Sequence, residues 1–242
     1  MTERSWCKMG IAENIAAIRL GMARAAEAAG RRPEEIALCA ATKMNGADAV
    51  RAAIAAGVDC CGENRAQEFW EKQEANAYAG KPVHFIGRLQ TNKAAKLVGN
   101  VDVIQSVDRP ALLECIARAA ERKALRQDIL LEVNIGGEES KGGFSPAEVA
   151  EAAQAMGMFP SLRLRGLMTI PPRAETAEER RAFFVEMRRL FVDIRSKTID
   201  NGCIDILSMG MSDDYPEAIA EGSTMIRVGT AIFGERSYAR PK

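Results

Sequence analysis

Ile36-Ala37-Leu38-Cys39-Ala40-Ala41-Thr42-Lys43 carries no charge until its last residue. A run this apolar reads as a strand buried on both faces, the pattern of the parallel sheets of α/β proteins. Lys43 then stands where the buried strand emerges into a loop. Lysine is rarely buried without a partner, and burial lowers its pKa and makes its amine nucleophilic. A lysine that ends such a strand is either a Schiff-base former or a residue that merely reaches water. The stretch alone leaves both open.

Upstream, Ile11, Ile15, Ile18, Met22 and Ala25 recur at three- and four-residue intervals. They predict one amphipathic helix over 3–29, ended by Gly30 and followed by Pro33. Downstream, strands are expected at 58–62, 83–87, 101–106, 128–135, 163–169, 204–209 and 224–229. Between them fall helices at 47–56, 65–78, a short one ending near Gly99, then 109–124, 146–156, 176–198 and 214–221. Counting 36–43, eight strands alternate with helical segments. That alternation predicts a single (β/α)8 (TIM) barrel over 1–242, with an extra N-terminal helix (1–30) packed outside it. An open doubly wound sheet would usually have fewer strands and a glycine fingerprint after the first. Lys43-Met44-Asn45-Gly46 is not one.

Composition excludes several function classes. Thirty-three basic side chains balance 33 acidic ones, so the basic footprint of a nucleic-acid or membrane-surface protein is missing. Residues 1–7 hold no signal-like apolar run, and no stretch is long enough to span a bilayer, so a cytoplasmic protein is expected. The six cysteines, Cys7, Cys39, Cys60, Cys61, Cys115 and Cys203, show no CxxC or zinc spacing and read as free thiols. A single histidine, His84, argues against a histidine metal site or a Ser-His-Asp triad and reads as a strand residue.

In barrels of this kind chemistry gathers at the carboxyl ends of the strands, and phosphate binds in the loops after strands 7 and 8. Ser212 lies in the first of those loops and can cap the helix that follows. Gly229-Thr230 in the second offers backbone N–H groups and a hydroxyl. Strand alternation puts Arg227 on the same face as Gly229, with Val228 opposite. A buried arginine needs an acceptor, either a barrel carboxylate such as Glu132 or the ring nitrogen of a ligand. Strand 8 neighbours strand 1 in a closed barrel, so Arg227, the phosphate loops and Lys43 can surround one ligand. Glu63 and Glu132 are a conceivable acid/base pair whose separation nothing in the sequence sets. Gly136 to Gly143 lacks the Gly-Lys-[Ser/Thr] of a P-loop. The charge run Arg173 to Arg181 reads as a solvated helix start.

The chain resembles the pyridoxal phosphate homeostasis proteins. The matching segments are Ala41-Thr42-Lys43, Gly62-Glu63-Asn64, His84 to Lys93 (HFIGRLQTNK), Glu132 to Gly143 (EVNIGGEESKGG), Arg165 to Pro171 (RGLMTIP), Leu207 to Asp214 (LSMGMSDD) and Ile226 to Gly234 (IRVGTAIFG). They cover nearly the whole chain in the family's order. The resemblance implies a barrel like the cofactor-binding domain of alanine racemases, and pyridoxal 5′-phosphate held as an internal aldimine on Lys43. It implies that Ser212, Gly229 and Thr230 hold the phosphate and that Arg227 faces the pyridine nitrogen. Asn64, Met168, Ser208 and Met209 would line the pocket. Two departures touch the pocket rim only. Arg88 stands where relatives often have histidine or proline, and Met44-Asn45 where many have Thr or Phe and then a basic residue.

Three functions compete. The first is a carrier that binds pyridoxal phosphate and releases it to apo-enzymes as transient recipients, with little catalysis. The second is an amino-acid racemase or decarboxylase on the same cofactor. The third is a Schiff-base aldolase without cofactor, which leaves Arg227 no ring nitrogen to meet. Racemases of the related fold use a second, β-rich domain to supply a tyrosine base. Here the chain ends after the eighth strand, and Tyr78, Tyr215 and Tyr238 sit in no matching motif. A guanidinium facing the ring also weakens it as an electron sink. The expectation is therefore a non-catalytic carrier, a monomer with no nucleic-acid or membrane partner.

Overall fold

All eight expected strands form, with ends within three residues of the apolar runs that predict them. In the computed structural model, which describes residues 10–138, 141–197 and 199–234, they are β1 Ala37–Ala41, β2 Cys60–Glu63, β3 Val83–Phe85, β4 Val103–Val107, β5 Gln127–Glu132, β6 Leu162–Met168, β7 Gly202–Ser208 and β8 Met225–Val228. They pair in parallel and in chain order, and β8 closes on β1. The helices are α1 Ile11–Ala28, α2 Ala47–Ala55, α3 Ala66–Glu74, α4 Thr91–Leu97, α5 Pro110–Arg122, α6 Pro146–Gln154, α7 Ala177–Ser196, α8 Tyr215–Ala220 and α9 Thr230–Phe233.

Strand alternation splits the buried side chains into two layers. Cys39, Cys60 and Met225 fill the barrel interior near the strand starts, and Val103, Leu130 and Met168 fill it further along. The outward set, including Ile104, Ile129, Leu131, Leu164 and Leu207, packs under Leu112 and Ile116 of α5 and Phe184 and Phe191 of α7. Helix α1 lies outside β1 and β8, where Ile15, Ile18, Met22 and Ala26 meet Leu38, Ala40, Ile226, Val228 and Ile219. Its Gly21 is required there, because a Cβ would lie 2.1 Å from the Tyr215 hydroxyl. Asn14 pins the same helix by donating to the Ile232 carbonyl at 2.9 Å.

The differences from the sequence pattern have local causes. The expected helix over 3–29 begins at Ile11, and residues 3–9 of it lie outside the described residues. The run 65–78 stops being helical at Glu74, because Asn76 turns into the left-handed region at φ 49° and folds Ala77 and Tyr78 into the core. The run 128–135 leaves the sheet after Glu132, where Val133 instead bridges Phe144 of the following loop. Among the described residues no helix is long and apolar enough to cross a membrane.

Candidate functional site

Lys43 is half-buried in the turn just beyond β1. Closure of the barrel sets its neighbours. Cys39 pairs in register with Arg227 and Ala40 with Val228. Gly229 then passes so close to β1 that a Cβ on it would stand 3.3 Å from the Ala41 Cβ. The Lys43 turn and the loop after β8 therefore form one side of the barrel mouth.

Beneath them Arg227 is 4% exposed. Its Nη1 donates to Ser208 Oγ at 2.6 Å and its Nη2 to the Thr169 carbonyl at 2.7 Å. The Ser208 hydroxyl donates in turn to Gln105 Oε1 at 2.7 Å. Gln105 Nε2 reaches His84 Nδ1 at 2.7 Å. Burial pulls the His84 pKa down to about 4, so at neutral pH the ring is uncharged, accepts at Nδ1 and carries its proton on Nε2. One polar chain thus crosses the interior from β8 through β7 and β4 to β3 and sets the guanidinium plane. Burial also lowers the Arg227 pKa, opposed by the nearby Glu132 and Asp214 carboxyls.

Glu132, half-buried at the end of β5, makes no ion pair with Arg227 among the described residues, so a simple salt bridge is not what holds that arginine. Burial, and secondarily Asp108, push the Glu132 carboxyl up to about 7, against Arg227 and Arg88. The conceivable pairing of Glu63 with Glu132 does not form. Glu63 follows the inward Gly62 on β2 and points the other way, taking the Lys72 ammonium at 2.6 Å. Burial raises its pKa, and Lys72 opposes the rise.

The loops after β7 and β8 meet as expected, by a different bond. Gly210 takes φ 96°, and a Cβ there would fall 2.6 Å from the Ala218 Cβ. The Met211 N–H is held by Asp214 Oδ1 at 2.6 Å. Helix α8 starts at Tyr215 with Asp214 in the cap position. Ser212 therefore does not cap it. Its Oγ accepts the Ala231 N–H at 3.3 Å and ties the two loops together. Gly229 and Thr230 border that tie, Thr230 exposed.

Asn64 follows β2, and its buried Oδ1 has no partner. Met168 and Ser208 are fully buried, register partners at the upper end of β6 and β7. Met209 departs from its expected place. It follows the inward Ser208, so its side chain joins the outer cluster of Leu207 and Ala218. Gln105 and Lys72 were not singled out by motif or spacing. The readable signal was chemical: a glutamine inside an otherwise apolar strand, and a lysine on the buried side of a helix. Among the described residues no three His, Cys, Asp or Glu side chains group as metal ligands.

Comparison with known proteins agrees with the fold. The alanine racemase, N-terminal domain family matches residues 14–237. The pyridoxal phosphate homeostasis protein of Aquifex aeolicus is 40% identical over 230 residues, covering 95% of this chain and all (100%) of its own. That of Pseudomonas aeruginosa is 42% identical over 232 residues, covering 96% and 98%. The structure of PipY from Synechococcus elongatus with PLP bound superposes with a TM-score of 0.79 at 35% identity, over 93% of this chain and 100% of that one. An alanine racemase from Streptomyces coelicolor superposes at 0.70 over 94% of this chain but 59% of its own, at 18% identity, a likeness of fold alone.

Proposed function

From the premise that the chain belongs to the pyridoxal phosphate homeostasis protein family, we propose that it binds pyridoxal 5′-phosphate as a Schiff base on Lys43 and carries it between other proteins without a defined turnover. The observation that supports this most is the convergence at one mouth of the Lys43 turn, the buried Arg227 and the Ser212–Ala231 tie. The donor set fits the group. Lys43 offers an amine to the aldehyde, Ser212, Gly229 and Thr230 offer donors to the phosphate, and Arg227 remains a donor toward the ring nitrogen. Asn64 Oδ1 is a buried acceptor waiting for a hydrogen. Ser208 and Met168 form the floor.

The cofactor, when bound, supplies an electrophilic aldehyde and an electron-accepting ring. Arg227 is held as a fixed cation by Ser208 and Thr169, so it gives no proton to the ring nitrogen and limits the ring as an electron sink. That property suits exchange of the cofactor rather than stabilisation of a carbanion. The test is the spectrum and intact mass of the purified protein before and after borohydride reduction, followed by peptide mapping. The visible band should disappear and the cofactor mass should remain on the Lys43 peptide. Attachment at Lys93 or Lys141, or no band at all, contradicts the reading.

A further inference from the structure

The turn that carries Lys43 is held from outside the barrel, by helix α3. Glu68 and Lys72 are four residues apart and share one face of that helix. Lys72 is 6% exposed. Its Nζ donates to the Thr42 carbonyl at 2.7 Å and to Glu63 Oε1 at 2.6 Å. The Thr42 hydroxyl donates to the same Glu63 oxygen. On the other side of Lys43, Glu68 Oε2 accepts the Met44 N–H at 2.6 Å. Met44 sits at φ 61°, in the left-handed region that side chains disfavour, and the turn's own closure is a single bond from the Asn45 N–H to the Thr42 carbonyl at 3.1 Å. Asn45 completes the frame by donating from Nδ2 to the Lys43 carbonyl at 2.9 Å. The carbonyl before Lys43, the carbonyl of Lys43 and the amide after it are each gripped by a side chain.

A methionine or leucine would fill the Lys72 position without the cost of burying an ammonium, so core packing alone does not call for a lysine there. We propose that Glu63, Glu68 and Lys72 are positioning residues for Lys43: they fix the backbone turn on which the reactive amine is mounted, so that its nitrogen meets the aldehyde of a ligand already anchored by phosphate. The step they serve is a condensation. The amine nitrogen forms a C=N bond, and both its hydrogens leave with the carbonyl oxygen as water. The proposal rests on Lys43 being the attachment point.

Two vitamers separate positioning from general damage. Pyridoxine 5′-phosphate keeps the ring and phosphate but has an alcohol in place of the aldehyde, so it reads the pocket without the amine. Glu68→Ala should weaken pyridoxal 5′-phosphate binding about tenfold or more, equivalent to roughly 1.4 kcal/mol, and change pyridoxine 5′-phosphate affinity less than about twofold. Glu68→Gln keeps an oxygen for the Met44 N–H and should restore the aldehyde's affinity. Lys72→Met, with its fold checked by near-ultraviolet circular dichroism, should shift the ratio of the two affinities in the same direction as Glu68→Ala. Unchanged aldehyde binding in Glu68→Ala, or equal loss of both vitamers, overturns the positioning role. A visible band that survives in Lys43→Ala refutes the attachment point instead, a separate readout.

Discussion

Glu132 shows how one side chain changes character with its surroundings. A glutamate at the end of a parallel strand ordinarily ionises well below neutrality. Here burial outweighs two arginines and carries its pKa to about 7. The sign follows from linkage. The folded pKa lies above the unfolded one, so this group favours folding fully below the unfolded value, and the contribution is lost as pH rises through about 7. Glu132→Gln removes the ionisation, so its melting temperature relative to wild type should be higher at about pH 8 than at about pH 5. Parallel pH profiles for the two proteins would contradict the assignment.

Elements contribute by meeting. The loops after β7 and β8 are joined by Ser212 Oγ, which accepts the Ala231 N–H. Ser212→Ala and Thr230→Ala should each weaken cofactor binding by about 1–3 kcal/mol, the range for a hydrogen bond to a charged group. Titration of the visible band would measure this, and pyridoxal lacking phosphate should bind far more weakly to wild type. Equal affinity for the two vitamers would place the anchor elsewhere. The chain from Arg227 to His84 joins four strands, and Gln105 is its middle link. Gln105→Leu keeps the volume but leaves the buried Ser208 O–H without its acceptor and His84 Nδ1 without its donor. About 1–3 kcal/mol should be lost for each orphaned group, read as a lower urea midpoint. An unchanged midpoint would show that the relay does not hold the interior.

The whole molecule presents Lys43, half-buried, in the turn just beyond β1. Racemisation needs a base on each face of the Cα–H bond, and the proposed attachment at Lys43 accounts for one. Glu132 titrates in a suitable range, but among the described residues no side-chain hydrogen bond or ion pair orients its carboxyl. Protein loaded with pyridoxal phosphate should therefore pass it to an apo-enzyme, assayed by recovery of that enzyme's activity, while D- and L-alanine stay unconverted. Turnover of either isomer that is lost in Lys43→Ala would restore the racemase reading.

Apolar runs separated by helical periods were enough to predict an eight-stranded barrel, because burial of both strand faces writes itself into consecutive residues. The same logic put Lys43, Ser212, Arg227 and Gly229 at strand ends, and it put Arg227 and Gly229 on one face. Parity along β7 was equally readable and assigns Met209 to the outer layer. What linear order does not carry is who meets whom across the barrel. Ser212 bonding Ala231, Arg227 choosing Ser208 and Thr169 over Glu132, and Lys72 reaching back to Thr42 all join residues that are remote in the chain. Only closure of β8 on β1, and the packing of α3 against β1 and β2, brings those partners within reach. A hydrogen bond is decided by about an ångström of placement, and that placement belongs to the tertiary structure.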